Sequence, residues 1–282
     1  LSASPALKVW QGGETMKHVG GCKGIAEFAA RLGSPKAKRR PRVVIWLDEI
    51  EKQMAGATGG DLSGTSADQL GQLLGYMQDH QASGMIFLGH PGTSKSLVAK
   101  AIAAELGVLC VQLDLGALKG SLVGESEQNL RTALKVITSL SDGRALFIAT
   151  SNNIANVPPE FRRRFSLGTF FFDLPTPEER DEIFAIYEAK YGLKGKRPAA
   201  QDWTGAEIAV CADLADRFGC SMLETASDIV PSAIAQADSI ERLRKDADGR
   251  YRSAAGPGLY RAPSAQKMTT AFTTRAFRSE VQ

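Results

Sequence analysis

A chain of 282 residues, 43% hydrophobic and 23% charged, reads as an ordinary globular protein with room for one large domain and a small one. Its net charge of +3 is too small to argue for a nucleic-acid partner, and no apolar run approaches the roughly 20 residues that span a bilayer. The cysteines (Cys22, Cys110, Cys211, Cys220) form no C-x-x-C pair and the histidines (His18, His80, His90) no metal-ligand spacing. This argues against a zinc site or a disulfide framework and for reduced thiols in a cytoplasmic compartment. No signal peptide is read, and the start at Leu1 without a methionine leaves room for an upstream segment.

Residues 1–42 are a mixed lead. They carry a short amphipathic segment at 25–32 and a basic linker, Lys36-Ala37-Lys38-Arg39-Arg40-Pro41-Arg42, whose charges are read as solvated. Val43-Val44-Ile45-Trp46-Leu47 is a continuous apolar run rich in β-branched residues, the pattern of a strand buried on both faces. It ends on Asp48-Glu49. Two carboxylates at the end of a buried strand are costly unless a cation is near, and this is the form of a Walker B element. In it Asp48 would hold magnesium and Glu49 would orient or deprotonate a water. The plainer alternative is a strand that surfaces and starts a helix with acidic residues. Residues 55–66 are loop-like in composition, and an amphipathic helix is expected over about 67–80.

The strand Met85-Ile86-Phe87-Leu88 then runs into Gly89-His90-Pro91-Gly92-Thr93-Ser94-Lys95-Ser96, followed by a helical segment from Leu97 that Gly107 stops. Strand, glycine-bearing turn and helix are the context of a phosphate-binding loop. The loop from Pro91 through Gly92, Thr93, Ser94, Lys95 and Ser96 to Leu97 would wrap an anion with its free N–H groups, Lys95 would reach the outer phosphates, and the Ser96 hydroxyl would be a magnesium ligand. Ser94 stands where G-x-x-x-x-G-K-[ST] has its second glycine, at a cost of about 1–2 kcal/mol if the backbone there is left-handed. An ordinary strand–helix turn with a surface lysine is the alternative.

A buried strand at 108–114, a loop at 119–125 and a helix from about 126 to 140 come next. The strand at 145–150 ends on Ser151-Asn152-Asn153, where Asn152 either positions a water or γ-phosphate or is a plain turn residue. Arg162, Arg163 and Arg164 follow. Such runs are usually solvated, but their place also suits presentation to a neighbouring subunit's nucleotide. After a strand at 169–174, Thr176-Pro177-Glu178-Glu179 and Thr204-Gly205-Ala206-Glu207 are helix-capping boxes, with stops expected at Gly192 and Gly219. Helical pattern continues over 221–248 with a break at Pro231, and residues 249–282 are expected to be a flexible tail.

Taken together, these motifs resemble the AAA clade of the AAA+ ATPases over about residues 19 to 220. The resemblance rests on Val19-Gly20-Gly21, Leu47-Asp48-Glu49, Gly89 through Ser96, Val123-Gly124-Glu125-Ser126-Glu127, Ala149-Thr150-Ser151-Asn152, Arg162 through Phe165, Asp173-Leu174-Pro175 and Thr204-Gly205-Ala206-Glu207. It implies that Asn152 is the sensor-1 residue, that one of Arg162, Arg163 and Arg164 is an arginine finger, and that Val19, Gly20, Gly205 and Ala206 lie beside a bound nucleotide. It also places Leu122 where the family often has an aromatic residue that grips a polypeptide. The implied fold is a three-layer α/β/α phosphate-loop NTPase with a five-stranded parallel sheet (43–174) and a small helical lid (175–248).

The order of elements departs from the family, because the Walker B strand comes before Walker A. A right-handed crossover through the helix at 67–80 can still bring it to the same slot. The expected sheet order is therefore 108–114, 43–47, 145–150, 85–88, 169–174. The function implied is magnesium-dependent ATP hydrolysis by a homo-oligomeric ring, expected to be a hexamer, that remodels a protein. A nucleotide-dependent scaffold is the alternative, and a nucleic-acid translocase is less favoured.

Overall fold

The computed structural model describes residues 4–53, 65–118 and 125–263. Residues 55–64 of the loop expected at 55–66, Leu122 with most of its loop, and the chain beyond 263 lie outside the described residues, while residues 65 and 66 open a helix instead of ending that loop. The elements in chain order are β1 (Leu7–Trp10), α1 (Lys23–Gly33), β2 (Val43–Leu47), α2 (Ile50–Gln53), α3 (Thr65–Asp79) and β3 (Ser83–Gly89). Next come α4 (Lys95–Leu106), β4 (Leu109–Leu113), α5 (Glu125–Ser141), β5 (Ala145–Ser151), α6 (Pro159–Arg164) and β6 (Thr169–Phe172). The chain closes with α7 (Pro177–Tyr191), α8 (Gly205–Phe218), α9 (Met222–Thr225), α10 (Ser232–Ala235), α11 (Ala237–Ala247) and β7 (Arg252–Ser253).

All five residues of β2 and all seven of β5 are buried, which requires cover on both sheet faces. The pleat sorts them by twos. Val43, Ile45 and Leu47 join Leu73, Leu130, Ile137 and Phe161 in the core under α3, α5 and α6. Val44 and Trp46 join Ile25, Ala29, Val98 and Ile102 under α1 and α4. The result is three layers, α/β/α.

The sheet order is β1-β4-β2-β5-β3-β6-β7. Its middle five strands are parallel and stand in the order expected from the sequence. The sheet has seven strands, however, and not five. Leu7–Trp10 pairs antiparallel with β4 along one edge, and the two-residue β7 pairs with β6 at the other. Both additions are short edge strands whose partners lie far away in sequence, so neither announces itself as a periodic run.

The segment following Gly249 returns to the sheet instead of leaving it. Ala254 donates its N–H to the Phe171 carbonyl, and Gly24 and Ile25 donate theirs to Ala255 and Ala254. Tyr260 is buried, its hydroxyl donates to Asp173 Oδ2 at 2.6 Å, and Arg244 Nε donates to Asp173 Oδ1 at 2.8 Å. One carboxylate therefore fastens both α11 and the segment after it to the end of β6.

A third apolar cluster, built by Ile183, Phe184, Trp203, Ile208, Cys211, Ala212 and Met222, lies among α7, α8 and α9. Both expected capping boxes form, on Thr176–Glu179 and Thr204–Glu207, and α7 and α8 end at left-handed glycines 192 and 219. Among the described residues no helix is long and apolar enough to cross a membrane.

Candidate nucleotide and metal site

In the parallel sheet the C-terminal ends of β2, β5 and β3 lie side by side, and a cleft of about 440 Å3 opens above them. Crevices at the carboxyl ends of parallel strands are where such folds take ligands. Asp48, Glu49, Pro91, Gly92, Ser94, Lys95, Ser96, Leu97, Asn152, Gly205 and Ala206 all line it, so most of the residues picked out in the sequence converge. Gly20 and Thr93 line a smaller adjoining cavity that shares Ser94 and Gly205. Val19 packs, partly buried, on the α1–α4 side of the core.

The acid pair and the loop meet directly. Ser96 Oγ donates to Asp48 Oδ1 at 2.7 Å, across 48 positions of sequence. Thr150 Oγ1 also donates to Asp48 Oδ1 at 2.7 Å and accepts the Glu49 N–H at 2.9 Å. Asn152 Nδ2 donates to Glu49 Oε1 at 3.2 Å, while Lys52 Nζ pairs with Glu49 Oε2 at 2.7 Å. Glu49 has φ of 45°, in the left-handed region that a side chain adopts at a cost. The hydrogen bond from its N–H to Thr150 helps hold it there.

The loop is shaped by close approach. Gly92 has φ of 81°, and a Cβ there would lie 2.7 Å from Thr204 Oγ1. Its carbonyl accepts the Ala206 N–H at 3.2 Å, which seats the start of α8 against the loop. Lys95 is buried, and Nζ donates to the carbonyls of Gly89 (2.8 Å) and His90 (2.7 Å). Burial pulls its pKa down to about 8, against the opposing pull of Glu51, Asp48 and Glu49.

Ser94 adopts φ of 63° at the N-terminus of α4 and makes no capping hydrogen bond with its side chain. A Cβ therefore sits where glycine fits best. Ser94→Gly is expected to stabilise the protein by about 1 kcal/mol, read as a higher thermal midpoint without nucleotide. A lower midpoint would contradict the strain.

Arg162, Arg163 and Arg164 do not reach this cleft. They end α6, where Arg162 and Arg163 are exposed and Arg164 bonds Gln78 through Nη2. Several contributors were not singled out in the sequence. Gln53 Nε2 bonds the Asp48 carbonyl, and Gln53 Oε1 accepts the Leu115 N–H at 3.0 Å, tying the acid pair to the end of β4. Glu51 is buried and accepts the Asn152 N–H at 2.9 Å, with Oε2 unpartnered among the described residues. Tyr187 lines the cleft and Ile183 the adjoining cavity; their i, i+4 spacing on α7 was the available signal.

A glycine-bearing strand–helix turn, an acid pair and a polar strand tip surround one cleft, an arrangement with the donors and acceptors to hold an anion and a metal ion. Residues 85–142 match the family described as ATPase family associated with various cellular activities (AAA). The chain is 29% identical over 229 residues to the uncharacterized AAA domain-containing protein ycf46 of Pyropia yezoensis, covering 61% of this chain and 46% of that protein. It is also 29% identical over 236 residues to ycf46 of Trieres chinensis, covering 66% of this chain and 47% of that protein. A shorter match, 43% over 53 residues, is to the peroxisomal ATPase pex6 of Schizosaccharomyces pombe, covering 19% of this chain and 6% of that protein. Among solved structures the FIGL-1 AAA domain aligns at a TM-score of 0.42 and 15% identity, covering 63% of this chain and 86% of that domain. Residues 85–142 are thus similar to the AAA family, and the chain spans about half the length of the curated ycf46 relatives it matches.

Proposed function

We propose that this chain is a magnesium-dependent ATPase of the AAA+ type that works in a homo-oligomeric ring, a hexamer by resemblance, and remodels a protein substrate. The observation that carries this reading is the bond from Ser96 to Asp48, which puts the hydroxyl after the loop lysine onto the acid at the strand end. A hydroxyl and a carboxylate are hard oxygen donors of the kind that suit Mg2+, so the residues present fit the ion. Mg2+ bound there would help neutralise charge on the phosphates.

The protein's own groups then divide the work. The backbone N–H groups from Gly92 to Leu97 cradle the phosphates, with Pro91 shaping the turn before them, and Lys95 turns from its carbonyl partners to the outer phosphates. Glu49 orients a water and takes its proton, and Asn152 holds the Glu49 carboxylate through Nδ2. Val19, Gly20, Gly205 and Ala206 flank the rest of the nucleotide, with α7 and α8 as a lid. The strand bearing Asp48 and Glu49 precedes residues 85–142, the segment that matches the family. On this reading the order of the Walker elements is permuted while their places in the sheet are kept. Arg162 and Arg163, exposed on α6, are better placed than Arg164 to enter a neighbouring subunit's site.

A second reading, a nucleotide-dependent scaffold with little turnover, is favoured by the left-handed Ser94. ATP turnover at saturating Mg–ATP, measured over a range of protein concentrations, separates the two. A ring ATPase gains specific activity as it assembles and loses on the order of 10³-fold in an Arg162→Ala/Arg163→Ala double variant. A scaffold assembles with ATP, but its turnover stays low throughout and is indifferent to the arginines.

A further inference from the structure

His90 lies in the phosphate-binding loop, yet it is not among the residues lining the cleft and is buried, 3% exposed. Nε2 is 3.2 Å from Ser232 Oγ, on α10 and 142 positions away. Ser232 in turn donates both its N–H and its hydroxyl to Glu207 Oε1, each at 2.7 Å. Because the Ser232 hydroxyl proton goes to Glu207, Ser232 Oγ accepts from His90, so the imidazole carries its proton on Nε2. Glu207 is itself fixed: Oε2 accepts the Thr204 N–H at 2.7 Å in the cap of α8. The main chain of His90 has other partners, its carbonyl accepting from Lys95 Nζ and from Thr93 Oγ1, each at 2.7 Å. A single residue therefore touches the phosphate-seeking lysine through its backbone and a distant helix through its side chain.

We propose that His90, Ser232 and Glu207 form a latch that transmits nucleotide occupancy from the phosphate-binding loop to α10. The proposal rests on the reading of residues 89–96 as that loop. Phosphates in the cleft draw Lys95 off the His90 carbonyl and fix the loop through its amides, and the imidazole carries that fixation to Ser232. His90 is a positioning residue, not a catalytic one. Burial, with Lys95 nearby, holds its pKa below the ordinary histidine value, opposed by Glu207, so the neutral, Nε2-protonated ring is the form the latch uses.

The test follows hydrogen–deuterium exchange of residues 229–236 with and without ADP, alongside ADP affinity by calorimetry. In the wild type ADP is expected to slow exchange across 229–236. His90→Ala is expected to bind ADP roughly 3- to 10-fold more weakly, the size of one neutral hydrogen bond, and to lose the ADP-dependent slowing. Ser232→Ala, which removes one hydroxyl from a half-buried residue, is expected to lose it too. His90→Gln, whose amide N–H falls near the position of Nε2–H, is expected to restore it. A wild type that binds ADP without change at 229–236 would overturn the latch and leave the nucleotide site standing, as would variants that keep the slowing. A wild type that binds no ADP would overturn the loop reading and this proposal with it.

Discussion

Lys95→Met is expected to abolish measurable ATP binding while leaving the protein folded. The lysine is buried, and without phosphates its ammonium has only the Gly89 and His90 carbonyls as hydrogen-bond partners among the described residues. Each charge-assisted hydrogen bond it would give a phosphate is worth about 1.5–3 kcal/mol, so losing two weakens ATP by at least about 100-fold. The same burial makes the unliganded ammonium a liability, as its pKa of about 8 against the ordinary 10.5 records. Between those values the unfolded chain binds more protons than the folded one, so stability rises with pH through this window. Lys95→Met removes that portion of the pH dependence. Thermal unfolding of both proteins from pH 7 to 10.5, beside ATP titration at pH 7, checks both halves; an unfolded variant, or one that binds ATP normally, would contradict the account.

Glu49→Gln separates binding from chemistry. Glutamine keeps an oxygen to accept from Asn152 Nδ2 and a backbone N–H to donate to Thr150, so the strained turn at φ 45° keeps its supports. What disappears is the carboxylate proposed to orient and deprotonate water. General-base groups contribute about 10²–10⁴-fold, and turnover should fall by that factor while ATP affinity stays within a few-fold. Turnover at the wild-type rate would remove Glu49 from the reaction, and loss of ATP binding would make its role structural.

Much of the fold could be read from the residues because strong local signals agreed with one another. Val43 to Leu47 is apolar on both faces, so it had to be an inner strand, and placing it between β4 and β5 followed from the family resemblance that its acid pair helps carry. The capping boxes at Thr176 and Thr204 and the glycines at 192 and 219 set the limits of α7 and α8. What stayed hidden was whatever depends on distant partners. Leu7–Trp10 is four residues long with one edge free, and β7 is two residues fixed by pairing with β6. Tyr260 looks like part of a polar tail until its hydroxyl is seen on Asp173.

The same division holds for the site. Lys95, Ser96, Asp48 and Asn152 carry their chemistry in residue type and spacing, and the structure gathers them. Thr150, Gln53 and Glu51 act through hydrogen bonds to residues 62 to 102 positions away, or to one another's neighbours, and no pattern in the chain announces that. Arg162 and Arg163 are a different case, since their proposed task lies in another subunit and a single chain shows only that they are exposed.

The claim on which the account turns is that one metal–triphosphate complex sits between an acid from β2 and the loop that precedes α4. Crystallography of the protein with Mg2+ and a non-hydrolysable ATP analogue tests it most directly. The account predicts a single Mg2+ held on the side of the cleft where Ser96 Oγ meets Asp48, with the outer phosphates against Lys95. A triphosphate bound elsewhere, or a metal remote from Asp48, would contradict it.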